Sequence, residues 1–140
     1  LSAPIPKPGK RKKKSKLQKK RDNHGSLLWK RKADSEWGRV IHLLNDKCLV
    51  DNEHCGGPLE AHHLISRGKV MTRHAVQNGV ILCSNHHKWS NECSPHMAPI
   101  QFTEFLRVHY PEKIDWVMEN RWNLGKPDYK EKFEILSKIL

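Results

Sequence analysis

The apolar positions divide the chain into a polar head followed by a series of short elements. In residues 32–46, Trp37, Val40, Ile41 and Leu44 recur at i, i+3, i+4 and i+7, which is one face of an amphipathic helix. Asp34 or Ser35 is available as its N-cap. Residues 47–59 then hold Cys48, Cys55, Gly56, Gly57 and Pro58, a composition that breaks regular structure and suits a metal-clamped loop. Two short apolar runs follow, residues 63–65 and 79–83, separated by a polar loop containing Ser66, Arg67 and Gly68. They are expected to pair as a hairpin. Residues 84–92 contain neither Pro nor Gly, and Ser84 or Asn85 could cap a short helix there.

The remainder predicts helices. Residues 99–108 carry Phe102, Phe105 and Leu106; residues 112–121 open after Pro111 and carry Ile114, Val117 and Met118 on one face. In residues 128–140, Asp128 and Glu131 have capping-box spacing, and Tyr129, Phe133, Leu136 and Leu140 form a stripe. Aromatic and Met positions at helical spacing are expected as core. Upstream of all this, ten of the fifteen positions from 7 to 21 are Lys or Arg, too few apolar side chains to offset the entropy of ordering the backbone. The 140 residues therefore predict a disordered basic tail over residues 1–25 and one folded unit over residues 26–140.

Charge changes the picture of what this unit meets. A formal net charge of +11 favours a polyanionic partner, nucleic acid first, although a basic run also serves as a localisation signal, a membrane-surface patch or a solvated tail. No apolar run is long enough to cross a bilayer and no signal-peptide series is visible, so a soluble, cytoplasmic protein is expected. Four cysteines interleaved with ten histidines in such a chain point to metal before disulfides.

The chemistry is concentrated in EAHHLISRG, residues 60–68, and QNGVILCSNHHKW, residues 77–89. These blocks resemble the His-Asn-His (ββα-metal) endonuclease family, whose motif places a metal ligand and a catalytic His on the first strand, an Asn before the second strand and a metal ligand on the helix. The resemblance puts His62 on the first metal ligand, His63 on the general base, Asn78 on the loop-ordering Asn and His87 on the helical ligand. The separations, fifteen residues from His63 to Asn78 and nine from Asn78 to His87, agree with the family. It implies an α+β fold, a small ββα-metal core with surrounding helices, and metal-dependent hydrolysis of DNA phosphodiesters with Mg²⁺ or Mn²⁺. Such spacing makes physical sense. Adjacent strand residues point to opposite faces, so one ring of a His-His pair can aim at a metal and the other at water, while a helix packed across the hairpin returns the second ligand. Asn91, one helical turn after His87, occupies the place of a third ligand in some family members.

Many members of this family also carry a zinc knuckle, which the resemblance assigns to Cys48 and Cys55 with Cys83 and His86. Six residues between Cys48 and Cys55, rather than two, depart from the family's loop. Zinc accepts a Cys₃His tetrahedron, and such a site can supply the folding energy a small domain needs. Cys93 and His96, also separated by two intervening residues, could compete for this site or form part of another; free buried thiols are the plain alternative. The helix before the first Cys, the ISRG of Ile65 to Gly68, and the Asn and C-x-x-ligand that follow are similar to phage recombination nucleases of the Rap/NinG kind. That likeness implies branched DNA and a possible recombination protein partner.

Arg67, Lys69, Arg73 and Lys88 lie in or beside the motif and are the first candidates for phosphate contacts. No base-reading motif is evident, so little sequence specificity is expected, and no small-molecule substrate. Two other readings compete: a non-catalytic, zinc-stabilised DNA-binding module, and an RNA-directed nuclease. His63 discriminates the first, because structural zinc has no need of a second adjacent His.

Overall fold

The computed structural model describes residues 2–139, an α+β protein built on one two-stranded antiparallel sheet. In chain order the elements are α1 (Lys16–Asp22), α2 (Leu27–Leu44), β1 (Leu59–His63), β2 (Gly79–Cys83), α3 (Pro99–His109), α4 (Pro111–Asn120) and α5 (Tyr129–Ser137). A single 3₁₀ turn, Val76–Asn78, leads into β2 and a single π-helical turn, Asn85–Trp89, leaves it.

Strand β2 is the axis of the core. All five of its residues are buried, which is why GVILC reads as a continuous apolar run and not as an alternation. One face carries Val80 and Leu82 into a cluster with Cys48, Phe102 and Leu106, so α3 covers that side. Ile81 points the other way, into Trp37, Val40, Ile41 and Leu136 from α2 and α5. The pairing of β1 with β2 sets His62 opposite Val80 and His63 opposite Gly79. Because cross-strand partners share a face, His62 looks toward the α3 layer and His63 toward α2.

Helix α2 is longer than its stripe predicts. It starts at Leu27 behind the N-cap Ser26, so Asp34 and Ser35 are interior residues and not the cap. Trp37, Val40 and Ile41 are buried as expected, together with Ala33, but Leu44 is exposed at the last turn. β1 ends at His63, four residues earlier in its start than the apolar run at 63–65 suggested, because its pairing is set by β2 and its faces are only half buried. The short helix expected over residues 84–92 is the one π turn. The three C-terminal helices fall within a few residues of expectation; the Asp128 side chain accepts from the Glu131 N–H at 3.0 Å, Tyr129 and Leu136 are buried, and Met118 is exposed. Leu140, the last member of the expected stripe, lies outside the described residues.

The basic head departs from a uniformly unstructured tail. Residues 2–14 carry no helix or strand, but Ser15 caps α1 by accepting from Gln18 N–H at 3.1 Å, and α1 is anchored to the body from its C-terminal end. The Trp29 indole donates to Arg21 O at 2.9 Å, Ser26 Oγ donates to Lys20 O at 2.9 Å, and Tyr129 N–H donates to His24 O at 3.0 Å. Side-chain and backbone hydrogen bonds, which composition does not reveal, supply what the missing apolar burial cannot. Among the described residues no helix is long and apolar enough to cross a membrane.

Gly79 is where α2 meets the sheet. A methyl group on it would sit 2.3 Å from Ile41 Cδ1, 2.6 Å from Ile41 Cγ1 and 2.8 Å from Trp37 Cζ2, so only a residue without Cβ lets α2 lie this close. Gly79→Ala is expected to destabilise the protein by about 1–3 kcal/mol through overpacking, read as a lowered denaturant midpoint with little change in slope. An unchanged midpoint would mean that α2 is free to retreat.

Candidate metal centres and cleft

Four side chains from three segments converge beside the end of β2. Cys48 and Cys55 come from the loop before β1, Cys83 closes β2, and His86 lies in the π turn; their ligand atoms all lie within 4.8 Å of one another. The His86 Nδ1 is 3.7 Å from the Cys48 sulfur, 3.5 Å from that of Cys55 and 3.2 Å from that of Cys83. A tetrahedral zinc with Zn–S of about 2.3 Å and Zn–N of about 2.0–2.1 Å requires S···N separations of roughly 3.5 Å, so the group has the dimensions of a zinc site. The six-residue gap between Cys48 and Cys55 is taken up by a loop in which Asp51 takes φ +47 and the Cys55 N–H donates to Asn52 O at 3.1 Å; just beyond it, Gly57 takes φ +81 and abuts Ser84, a conformation suited to glycine.

Cys55 and Cys83 differ in how readily they ionise. Burial and the neighbouring Cys48 and Cys83 sulfurs push the Cys55 thiol up to about 11, whereas at Cys83 the backbone N–H groups of His86 and Gly56 outweigh desolvation and favour the thiolate. A divalent ion would deprotonate all three. Cys93 does not join them; it packs against the Val80–Phe102 core as a half-buried thiol.

A second group, His62, His87 and His96, forms on the α3 side of the sheet. His62 Nδ1 lies 3.2 Å from His87 Nε2, the spacing of two ligands on one ion. His87 Nδ1 is 3.3 Å from Glu60 Oε1; as a carboxylate only accepts, the ring proton sits on Nδ1 and the Nε2 lone pair faces inward. Glu60 and His62 can share this duty because residues two apart on a strand point to one face. Desolvation, then the charges of His87 and His96, hold His62 neutral by lowering its pKa from 6.5 to about 3. His96 is presented by a tight turn in which buried Ser94 receives the Met97 N–H at 3.0 Å and Ala98 N–H donates to Ser94 O at 2.9 Å. Asn91 is exposed and outside the group, and His96 stands where a third ligand is needed. Sequence spacing offered His96 only as an alternative, since nine residues from His87 and no common element connect the two.

His63 belongs to neither group. Its ring stacks on Trp37 of α2 at 3.7 Å between centroids and 13° between planes, and its Nε2 lies 2.9 Å from Arg73 O. A carbonyl cannot donate, so the proton is on Nε2 and the lone pair on Nδ1. That Nδ1 has no hydrogen-bond partner among the described residues and is not sealed from solvent. Desolvation, the largest influence, lowers His63 from 6.5 to about 4 despite the Arg73 carbonyl, which leaves it neutral at physiological pH. His62, His63, His87 and His96 together line an open cleft of about 770 Å³, with Trp37, Ser66 and Arg67 on its wall.

Asn78 is fully buried and holds the connection between the strands. Its Oδ1 accepts from Ile65 N–H at 2.6 Å, and its Nδ2 donates to Ile65 O at 3.0 Å and Thr72 O at 3.1 Å. Both amide hydrogens and the oxygen of that side chain are engaged by the loop that follows β1.

Of the four expected phosphate contacts, Arg67 and Lys69 are exposed in that loop, and Arg67 lines the cleft. Arg73 is a correction: it is buried, and its guanidinium is taken by Asp34 at 2.7 and 2.8 Å. Lys88 is paired with Glu60 at 2.9 Å, so its charge serves the second histidine group. Asp34 and Trp37, both on α2, were readable from sequence only as cap and core.

The chain matches no protein-family model, no curated protein and no solved structure. Its class is therefore defined by what it contains: a small α+β protein with a Cys₃His group able to hold a metal such as zinc. The purified protein is expected to retain about one zinc per chain through dialysis, with strong chelation lowering its melting temperature markedly. Cys55→Ser should lose that zinc and Cys93→Ser should keep it; the opposite pattern in elemental analysis would reassign the ligands.

Proposed function

We propose that the protein is a metal-dependent nuclease of the ββα-metal type, acting on DNA, with His63 as general base. The observation that carries this reading is His63 itself. It adjoins a metal-ligating group without belonging to it, has a hydrogen bond that fixes its proton on Nε2, and offers a free Nδ1 to the cleft. Structural metal sites require none of this.

His63 Nδ1 accepts a proton from a water in the cleft as that water's oxygen bonds to phosphorus; the bond from phosphorus to the 3′ oxygen breaks, leaving a 5′ phosphate and a 3′ oxyanion that takes its proton from solvent water. His62, His87 and His96 would hold a divalent ion, which would supply Lewis-acid charge for the phosphate and the departing oxygen. Three imidazoles with no carboxylate among them suit a borderline ion such as Zn²⁺, Ni²⁺ or Co²⁺ better than the Mg²⁺ or Mn²⁺ expected from the resemblance, which favour oxygen ligands. Arg67, exposed on the cleft wall, and Lys69, exposed two positions further along the same loop, supply phosphate contacts, which position DNA without reading sequence. A recombination partner and a branched substrate rest on the likeness to the Rap/NinG nucleases alone.

Plasmid DNA and a structured RNA incubated with the protein and each of Zn²⁺, Ni²⁺, Co²⁺, Mn²⁺ and Mg²⁺, or EDTA, test this directly. DNA should be cut and EDTA should stop it. His63→Ala should lower cleavage by about 10²–10⁴ with fold and DNA binding retained. His62→Ala, His87→Ala and His96→Ala should be partly rescued by higher metal. DNA binding without cleavage under any ion would leave the zinc-stabilised binding module, and cutting of RNA alone the RNA nuclease.

The basic head generates a separate expectation. Removing residues 1–14 takes away six Lys and Arg while sparing α1. If half of them contact phosphates, the logarithmic salt slope of duplex binding should become shallower by about 3, with turnover of bound DNA little changed. An unchanged slope, measured by titrating labelled DNA at several salt concentrations, would assign the phosphate contacts to the folded body.

A further inference from the structure

We propose that Asp34 is the positioning residue for His63, acting through Arg73 to hold the one carbonyl that fixes the tautomer of the base; this rests on the nuclease reading. The carbonyl belongs to a segment, residues 72–75, that is neither helix nor strand, and such backbone has no ladder to keep it still. The protein ties it down one group at a time. Asn78 Nδ2 donates to Thr72 O at 3.1 Å and the Trp37 indole donates to Ala75 O at 2.9 Å, one bond on each side of Arg73. Between them, the Asp34 carboxylate takes Arg73 Nε at 2.7 Å and Nη2 at 2.8 Å, a two-point grip that fixes the guanidinium in plane as well as in position. Arg73 Nη1 donates in turn to Arg67 O at 3.1 Å, and His74 Nε2 to Asp34 Oδ1 at 2.7 Å.

The carboxylate thus grips the side chain of the residue whose carbonyl His63 uses and that of the next one. Stability alone is a poor explanation of the arrangement. A largely buried ion pair is a weak source of net stability, and this one leaves His74 Nδ1 buried with no hydrogen-bond partner, which costs free energy. Its distinctive product is a single geometry. Without Asp34, Arg73 has a buried charge to relocate, its carbonyl is free to rotate, and the His63 ring loses its reason to keep the proton on Nε2. A ring protonated on Nδ1 cannot accept a proton from water in the cleft.

The test uses the full chain with its zinc and four variants: Asp34→Asn, Arg73→Lys, His63→Ala and the double variant Asp34→Asn/His63→Ala, each checked by circular dichroism. In ¹⁵N-histidine-labelled wild-type protein, His63 should be a single Nε2–H tautomer. In Asp34→Asn and Arg73→Lys, the Nδ1–H form should appear. In DNA cleavage, Asp34→Asn should lower kcat about hundred-fold, the scale of a misplaced catalytic group, with KM within about three-fold. It should add nothing in the double variant, because its effect runs through His63. A wild-type His63 protonated on Nδ1, an unaltered tautomer in either folded variant, a change confined to KM, or an equal further loss on the His63→Ala background would overturn the proposal. Absence of cleavage by the wild type under any ion overturns the nuclease reading instead, and the tautomer measurement still decides whether Asp34 governs His63.

Discussion

The candidate site depends on one geometric constraint, the alternation of side chains along β1. Two adjacent histidines on a strand cannot face the same way, and pairing with β2 fixes which looks where: His62 with Val80, His63 with Gly79. Each face has its own partners. On the α3 side, Glu60, His87 and His96 surround His62; on the α2 side, Trp37 stacks on His63 and the Arg73 carbonyl fixes its proton. A slip of one residue in register would exchange the two rings and leave neither with its neighbours.

What fixes the register is a core in which β2 is buried on both faces, and what carries the site past the end of β2 is a single π turn. His86 and His87 are consecutive in that turn. The first is buried among Cys48, Cys55 and Cys83, and the second points to His62. Ordering the sulfur-rich group therefore orients a histidine of the other group by direct covalent succession. A metal held by the Cys₃His group would thereby also fix the direction of His87.

Much of this was legible in the chain. The strand GVILC follows from its own apolar run, whereas the Cys48, Cys55, Cys83 and His86 group, the His62–His87 pair and the loop-holding Asn78 were implied by the family resemblance, and the structure brings the side chains of each group together. Contacts made across long separations were not legible. Asp34 reads as a helix cap in sequence and is the partner of Arg73, thirty-nine residues away; Arg73 reads as a phosphate contact and is buried; His96 finds the histidine group only because Ser94 turns the chain back. A polar residue announces that it needs a partner, but tertiary packing decides which one. The same holds for α1, whose carbonyls at Lys20 and Arg21 are held by Ser26 and Trp29.

The division into two candidate metal centres, with His63 a ligand in neither, is tested most directly by anomalous diffraction from crystals of the cobalt- or zinc-loaded protein. Two peaks are expected, one within bonding distance of Cys48, Cys55, Cys83 and His86 and one within bonding distance of His62, His87 and His96, with His63 bound to neither. A single peak at the sulfur-rich group, or a peak bonded to His63, would contradict it.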